Sequence, residues 1–293
     1  MSNRKKKVVA ELPAKLVEPS LKDDGSRKVV MESDDSFTFT FIDSKTFRKW
    51  TELLNACVDE VCLQLKPTGI TCVFRSSQSD SNDSMVMFVE SKIEACELLN
   101  YRIVPEKEHV IILQTGALLT VMKETKTQSI VTIEKKPNDP NIWFYIEGRS
   151  FPLSSAVRSS IQLIEPPQLA IDDQFPLAVY AVEGFSDICG TIGRSQSMYT
   201  RMELQPKGCS LSIAVAVVPL YVVFGSYDKN LPPVSTIQLP SSLLSTYYNI
   251  INKLSNPLGI VKFYHDGKLP FLKFVCGIGS YGKIGIYLQY TKA

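Results

Sequence analysis

The chain has 293 residues, of which 44% are hydrophobic and 21% charged, and this composition excludes collagen-like, mostly disordered and small disulfide-stabilised proteins. Its 32 basic and 30 acidic residues leave a net charge of only +2, so any contact with nucleic acid must be local. The apolar runs are too short or too interrupted to cross a bilayer as a helix, and the N-terminus is charged, so we expect an intracellular protein with no membrane partner.

The N-terminal segment has too few aromatic residues to build a core and mixes charges of both signs, which predicts a flexible tail over 1–35. It opens with the basic run Arg4-Lys5-Lys6-Lys7. Such a run can act as a nuclear localisation signal or as an arm that binds nucleic acid, but a solvated terminus is the commoner role.

Strand patterns begin at Ser36, where Phe37, Phe39 and Phe41 alternate with threonines and so share one face of a strand. Segments rich in β-branched and aromatic residues then recur along the whole chain. The further predicted strands are Cys62–Leu65, Ile70–Phe74, Met85–Glu90, Tyr101–Val104, Ile130–Glu134, Ile142–Glu147, Ile161–Ile164, Leu177–Val182, Tyr199–Leu204, Leu211–Val218, Leu220–Tyr227, Thr236–Leu239, Ile260–Tyr264, Phe271–Cys276 and Ile284–Tyr290.

Four stretches have apolar residues at helical spacing instead. In the first, Phe47, Trp50 and Leu54 fall on one stripe, and Arg48 and Lys49 lie on the opposite face. The predicted helices are a stretch around Phe47–Val61, Thr115–Thr127, Gly184–Gln196 and a helix that begins after Pro240 with Ser241 or Ser242 as its N-cap.

Cysteine and histidine usage gives no indication of a metal site. The seven cysteines form no CxxC pair and are odd in number, which is typical of free thiols in a reducing compartment. The two histidines, His109 and His265, are far apart in the sequence and have no neighbouring Cys or His. We therefore expect no metal and no cofactor.

The order of the elements repeats. A helix, a strand, a Pro-x-Gly turn and a strand occur around Pro67-Thr68-Gly69 and again around Pro206-Lys207-Gly208. This predicts an internal duplication of one strand-rich α+β domain with two helices. The expected domains are 36–164 and 177–293, joined by a connector over 165–176 that contains Pro166-Pro167.

The helix followed by Pro67-Thr68-Gly69-Ile70 resembles the opening of the first domain of the proliferating cell nuclear antigen (PCNA) type of DNA sliding clamp, and Pro206-Lys207-Gly208 resembles the same place in its second domain. Gln168-Leu169-Ala170-Ile171 is similar to the interdomain connector of that family, and Tyr287-Leu288 to its final strand. The resemblance covers roughly Ser36 to Ala293. The extended basic N-terminus departs from the cellular pattern and would fit a divergent or virus-encoded clamp.

The resemblance implies a closed ring of two-domain subunits, a homotrimer, with helices around a central hole and sheets outside. Duplex DNA would pass through the hole, and the ring would hold phosphates through Lys and Arg without reading bases. A protein of this kind has no catalytic residues and works where DNA is replicated, in the nucleus or a viral factory. The implied DNA-binding residues are Arg48, Lys49, Lys123, Lys126, Arg194 and Lys253, against the acidic Glu52, Glu124 and Asp187 on the same faces.

The resemblance also implies a pocket beneath the connector for peptides of DNA polymerase and other partners, and subunit contacts through paired sheet edges. Two departures bear on the pocket, because Pro166-Pro167 stiffens the connector and Gln289-Tyr290 stands where a small residue and proline are expected. The implied pocket residues are Val86, Leu169, Ile171, Pro270, Tyr287 and Leu288. The implied interface residues are Val157 and Ile161 in the strand that ends the first domain, and Leu220 and Val222 in the second domain.

Other classes of function can be compared with the same sequence. Gly277-Ile278-Gly279-Ser280-Tyr281-Gly282 matches the GxGxxG pattern of dinucleotide-binding enzymes, but a strand pattern follows it where such a site needs a helix, so we expect a turn and no enzyme. A β-rich viral structural protein would have no need of two equivalent helix pairs. A checkpoint-clamp subunit and a herpesvirus-like processivity subunit that forms no trimer stay open as alternatives within the clamp class.

Overall fold

A computed structural model describes residues 26–30, 36–77, 86–104, 108–126, 129–155, 160–195, 197–213, 220–254 and 259–292. Within these ranges, the side chains of 26–30, 76–77, 160–162 and 250–254 are outside the description. The described part of the chain is strand-rich and contains four α-helices, which confirms the predicted α+β class.

All four predicted helices are present, although the first ends at Cys57 and Val61, which was assigned to it, lies on the following strand. In the first, the carboxylate of Asp43 accepts the backbone N–H of Lys45 at 2.9 Å and so caps the N-terminus, while Phe47, Trp50 and Leu54 are buried. The helices are α1 Ser44–Cys57, α2 Thr115–Lys123, α3 Val182–Arg194 and α4 Ser241–Leu254.

The second helix is shorter than predicted. It ends at Lys123, with Glu124 as its C-cap, although the apolar spacing predicted a helix through Thr127. Thr125 instead turns its hydroxyl back to the carbonyl oxygen of Met122, and the ammonium group of Lys126 lies 3.2 Å from the carboxylate of Glu147. The prediction that Lys126 lies on a helix face is therefore wrong.

The helices form one layer, because α1 packs against both α2 and α4 and α4 packs against α3. Their order across the layer is α2, α1, α4, α3. The indole N–H of Trp50 in α1 donates to the hydroxyl of Ser91, 3.2 Å away on a central strand, so the layer covers one face of the largest sheet.

Twenty strands form four sheets in the described residues. Their orders are β1-β11, β10-β9-β8-β2-β6, β12-β17-β18-β19-β5-β4-β3-β7 and β15-β14-β13-β16-β20. The strands are β1 Ser26–Val30, β2 Ser36–Phe41, β3 Glu60–Lys66, β4 Gly69–Ser77, β5 Val86–Glu94, β6 Leu99–Val104, β7 His109–Gln114, β8 Val131–Lys135, β9 Asn141–Ile146, β10 Arg149–Ser154, β11 Ser160–Ile164, β12 Ala178–Ala181, β13 Tyr199–Gln205, β14 Gly208–Ile213, β15 Leu220–Gly225, β16 Ser235–Pro240, β17 Ile260–Tyr264, β18 Phe271–Ile278, β19 Gly282–Gln289 and β20 Thr291–Lys292.

The two halves of the chain meet in the eight-stranded sheet. Strand β19 of the second half pairs with β5 of the first half in antiparallel register, from Gly282 opposite Ile93 to Leu288 opposite Met87. One hydrophobic core cluster contains residues of both halves. The halves are therefore joined by main-chain hydrogen bonds as well as by the connector.

Both Pro-x-Gly turns need glycine for the same reason. A Cβ on Gly69 would lie 2.0 Å from the carbonyl oxygen of Ile93, and a Cβ on Gly208 would lie 2.5 Å from the backbone nitrogen of Tyr227. Each glycine lets the hairpin turn approach a neighbouring segment of backbone. This shared packing supports the internal repeat that the sequence indicates.

Four strands were not predicted: β1, β7, β10 and the two-residue β20. Strand β1 lies inside the range predicted as a flexible tail and pairs with β11, from Ser26 opposite Ile164 to Val30 opposite Ser160. Strand β7 is buried on both faces and so lacks an alternating pattern. Strand β10 contains Pro152, which is tolerated because β10 is the outer strand of its sheet.

Candidate DNA-facing helices, partner grooves and subunit edges

The solvent-facing stripe of α1 is predominantly basic. Lys45 is exposed, and Arg48 and Lys49 are half-buried on the following turn. The guanidinium of Arg48 forms an ion pair with Glu52 at 3.1 Å, so part of its charge is compensated. Lys49 has no ion pair to any residue that the structure describes.

Lys45 was missed by the sequence analysis. The sequence feature that could have indicated its position is the Asp43-Ser44 pair. This pair is a common helix start and places Lys45 in the first turn of α1 instead of in a loop.

The other predicted cations lie at helix ends. Lys123 and Arg194 are exposed in the last turns of α2 and α3. Arg194 contacts the hydroxyl of Thr191 at 3.4 Å. Lys253 is in the last turn of α4, and its side chain is outside the described part. Cations at these C-terminal positions also interact favourably with the helix dipole, so their presence alone does not indicate a ligand.

Acidic residues interrupt the helix layer at a few points. Glu183 and Asp187 are exposed on α3, and Glu124, which follows α2, lies 3.6 Å from a guanidinium nitrogen of Arg149. The layer therefore carries a modest excess of positive charge, of the kind that binds phosphates without base specificity.

The connector runs across the outer face of the eight-stranded sheet and is firmly held at its C-terminal end. The backbone N–H of Ala170 donates to a carboxylate oxygen of Asp266 at 3.2 Å, and the hydroxyl of Tyr264 donates to the carbonyl oxygen of Asp173 at 2.9 Å. The N–H of Leu177 then donates to the carbonyl oxygen of Phe263 at 2.7 Å, where β12 begins.

Beneath the N-terminal half of the connector lies a hollow of about 320 Å³, which we call the inner hollow. Leu169 and Ile171 line it from the connector and Tyr287 lines it from the sheet, so three of the implied pocket residues do share a cavity. Its walls also include charged groups, which makes it more polar than an apolar pocket. The charged residues are Lys66, Glu90, Lys92, Glu165 and Lys273.

Tyr287 is tied to these charges. Its hydroxyl donates to the carboxylate of Glu90 at 3.0 Å, and its ring lies 5.1 Å from the ammonium group of Lys273. Burial, together with the nearby Glu90 carboxylate, raises the pKa of Tyr287 well above its usual value, so the hydroxyl stays protonated and acts as a donor. Burial also lowers the pKa of Lys273.

The other three implied pocket residues do not line this hollow. Leu288 is fully buried in the core, because it follows Tyr287 on a strand and consecutive side chains point to opposite faces. Val86 is buried, and its N–H donates to the side chain of Gln289 at 3.1 Å. Pro270 is exposed, and its carbonyl oxygen accepts the N–H of Tyr290 at 3.0 Å.

A second and more apolar hollow, of about 500 Å³, lies beside the C-terminal half of the connector; we call it the outer hollow. Phe175 and Val234 border it and are 77% and 75% exposed, and Ile171 and Tyr290 also line it. The sequence analysis did not identify this hollow. The feature that could have indicated it is Phe175, an aromatic residue within the connector. The Tyr290 that departs from the family pattern closes one wall, with its hydroxyl 2.7 Å from His265 Nε2.

Strands β15 and β10 are among the outer strands that have no further partner strand in the described residues. Strand β15, which carries Leu220 and Val222, ends the second half's own sheet, and its Tyr221 and Val223 side chains are 53% and 40% exposed. Strand β10 is the outer strand of the first half's sheet. Strand β11, which carries Ile161, is paired with β1, and Val157 lies outside the described residues.

The described residues contain no group of three or more His, Cys, Asp or Glu side chains that could hold a metal ion. In the same part of the chain, no helix has the length and apolar character needed to cross a membrane. None of the seven cysteines forms a disulfide, and burial raises the pKa of Cys72, Cys189 and Cys209, so these thiols stay protonated.

No protein-family model and no curated protein sequence matches this chain. Its structure is nevertheless similar to solved structures. A PCNA2–PCNA3 complex from Sulfolobus tokodaii matches with a TM-score of 0.64 and 17% sequence identity, covering 86% of this chain and 98% of the other. The proliferating cellular nuclear antigen from Entamoeba histolytica matches with a TM-score of 0.64 and 14% identity, covering 87% of this chain and 98% of the other. The chain therefore has the fold of the PCNA sliding clamps.

Proposed function

We propose that this protein is a DNA sliding clamp, a processivity factor that encircles duplex DNA as a homotrimer and tethers a DNA polymerase and other replication or repair proteins. It acts at sites of DNA replication and has no catalytic activity of its own.

One relationship between strands carries the proposal. Within the chain, β19 pairs with β5 and so joins the second half to the first. In the internal repeat, the counterpart of the group β19-β18-β17-β12 is β10-β9-β8-β2, and the counterpart of β5-β4-β3-β7 is β15-β14-β13-β16. The counterparts of the two joined edges are thus β10 and β15, and each of these is an outer strand with no further partner strand in the described residues.

These edges favour head-to-tail assembly. If β15 of one copy pairs with β10 of the next as β5 pairs with β19, each new junction repeats the internal one. The same rotation is then applied at every junction, and a ring closes when these rotations add up to one full turn. The proposal takes β10 as the first-domain edge in place of the implied Val157 and Ile161, since β11 is paired with β1.

The helix layer supports DNA contact on the inside of such a ring. Lys49, Lys123 and Arg194 would contact phosphates, with Lys45 as an addition and with Arg48 partly compensated by Glu52. Lys253 would contact DNA from the last turn of α4, and Lys126 would do so from the segment that follows α2.

The outer hollow is the proposed capture site for partner peptides. Its exposed Phe175 and Val234 would pack against an apolar side chain of the peptide, and Leu169 and Ile171 would extend the contact beneath the connector. Tyr287 forms the polar floor of the inner hollow, which favours a peptide that also carries a hydrogen-bonding side chain.

Primer extension with the cognate DNA polymerase on a long single-stranded circle tests the function. The protein is expected to lengthen the products made in one binding event, and the Phe175→Ser, Val234→Ser double variant to lose this effect. A Met198→Ser variant, which changes another highly exposed apolar residue, is the control and should stimulate normally. Equal product lengths with and without the protein would refute the proposal, as would intrinsic nuclease or ATPase activity that a single substitution abolishes.

A further inference from the structure

The N-terminal strand β1 is placed where it holds the start of the connector. It forms a five-residue antiparallel ladder with β11, and β11 has no other partner strand in the described residues. Residues 26–30 precede the duplicated domains in the sequence, so this ladder is an addition to the repeat. A two-stranded ribbon is only marginally stable by itself in water, so it depends on what it packs against.

The ribbon is fastened to the outer face of the eight-stranded sheet through Leu163. This side chain is 1% exposed and forms a small cluster with Val110, Ile112 and Cys62, separate from the main core. Leu163 is the buried side chain that the described part of this ribbon shows, and fixing each residue of an extended segment costs about 1 kcal/mol or more of backbone entropy. The ladder with β1 adds main-chain hydrogen bonds to this contact.

Strand β11 runs directly into the connector. Ile164, its last residue, lines the inner hollow together with Pro166, Leu169 and Tyr287. At the other end, the connector is held by Asp266 and by the pairing of β12 with β17. The connector therefore lies between the β1–β11 ribbon at its N-terminal end and the contacts with Asp266 and β17 at its C-terminal end.

We propose that Ser26–Val30 is an intramolecular strap: it occupies the edge of β11, holds the N-terminal half of the connector against the sheet, and thereby sets the shape of the inner hollow. Release of the strap frees the connector and opens the β11 edge to another extended backbone. The consequence for partner binding rests on the proposed function, whereas the strap itself is a property of the chain alone.

Hydrogen exchange of the full chain, read by mass spectrometry, tests the strap without any partner. Deletion of residues 1–30 removes β1, and deletion of 1–25 is the matched control that keeps it. A second disrupting variant replaces Lys28 and Val29 with proline. Because adjacent residues in a strand direct their N–H groups to opposite edges, this double change removes a ladder donor whichever residue supplies it.

The 1–30 deletion and the double proline variant should exchange at least about tenfold faster over Ser160–Leu169, and the 1–25 deletion should match the parent. Amides of β18 and β19 should stay equally protected in all four proteins, which shows that the fold is retained. Unchanged protection of Ser160–Ile164 in the 1–30 deletion would overturn the proposal. So would protection in the parent that falls on dilution, because β1 would then come from a second copy.

If the strap is confirmed and the protein still fails to lengthen polymerase products, the proposed function is wrong and the strap stands. If the 1–30 deletion keeps its protection and stimulates the polymerase normally, the strap is wrong and the function stands.

Discussion

The hydroxyl of Tyr287 donates a hydrogen bond to a carboxylate oxygen of Glu90 at 3.0 Å, across the junction between β19 and β5. The two residues come from opposite halves of the chain and are 3% and 9% exposed. Lys92 lies 3.0 Å from the other carboxylate oxygen of Glu90. A buried polar group of each half is therefore satisfied by the other half.

The Tyr287→Phe variant tests this junction. It leaves a buried carboxylate oxygen without its donor, which should lower the free energy of unfolding by about 1–3 kcal/mol. Because the eight-stranded sheet is shared, both halves should still unfold in one transition. Denaturant unfolding followed by fluorescence and by circular dichroism measures both quantities.

Tyr145→Phe is the matched control for Tyr287→Phe. Tyr145 is half-buried in β9 and away from the junction, so its loss should change the free energy of unfolding by less than about 0.5 kcal/mol. Equal effects of the two substitutions, or separate transitions for the two halves in the parent, would contradict the account of the junction.

The free energy of unfolding should depend on pH through His265, which lines the outer hollow. Burial lowers the pKa of His265 in the folded chain, below the usual value of 6.5. Between the two pKa values the unfolded chain binds more protons, so stability is highest above about pH 6.5 and falls as the pH drops toward the folded-state pKa. Urea unfolding of the parent at a series of pH values from about 7.5 to 5 should show this decrease.

A His265→Asn variant is expected to flatten the pH dependence in that window. His109 is present in both proteins, so the difference between the two curves reports His265 alone. Asp266, whose pKa is lowered by backbone hydrogen bonds that overcome its desolvation, titrates below 3.8 and does not enter the window. Parallel curves for parent and variant would show that His265 is not responsible.

The fold was largely predictable from local patterns. The helices follow from apolar spacing and caps, and most strands follow from alternation or from β-branched and aromatic content. Strand β7 was missed because its residues are buried on both faces and it leads directly into α2. Strand β1 was missed because only its pairing with β11, over 130 residues away in the sequence, makes it a strand.

The site was less predictable, because it depends on which face each side chain takes. Tyr287 and Leu288 both belong to the motif that resembles the family, yet alternation on β19 sends one to the inner hollow and the other to the core. Phe175 and Val234 meet at the outer hollow from segments with no common pattern. The distance between them in the sequence gives local analysis no means to pair them.

Nonspecific DNA binding should depend on the helix cations. Replacing Lys49, Lys123 and Arg194 with alanine should reduce the steepness of the salt dependence of binding, by roughly 0.9 in the log–log slope for each phosphate that is no longer neutralised. The control replaces Lys207, Lys229 and Lys268, exposed cations in loops, and changes the net charge equally. Fluorescence anisotropy with duplex DNA over a series of salt concentrations measures the slopes, and equal slopes for the two triple variants would contradict the assignment.

Assembly should depend on the edge of β15. The Tyr221→Lys, Val223→Lys double variant places charge on an exposed edge and should convert the oligomer to a monomer with little loss of monomer stability. Val179→Lys with Ile260→Lys is the control, because these residues are also exposed and apolar but lie on β12 and β17. Light scattering at several concentrations gives the masses, and an unchanged mass for the β15 variant would exclude this edge.

Topological linkage to DNA tests the central claim most directly. The protein is threaded onto linear duplex DNA that has one blocked end, the second end is then blocked, and the complex is washed at high salt. Because salt screens phosphate contacts but does not open a ring, we predict that the protein stays on the doubly blocked DNA and leaves when a restriction enzyme cuts it. Release by the salt wash alone, whether or not the ends are blocked, would contradict an encircling clamp.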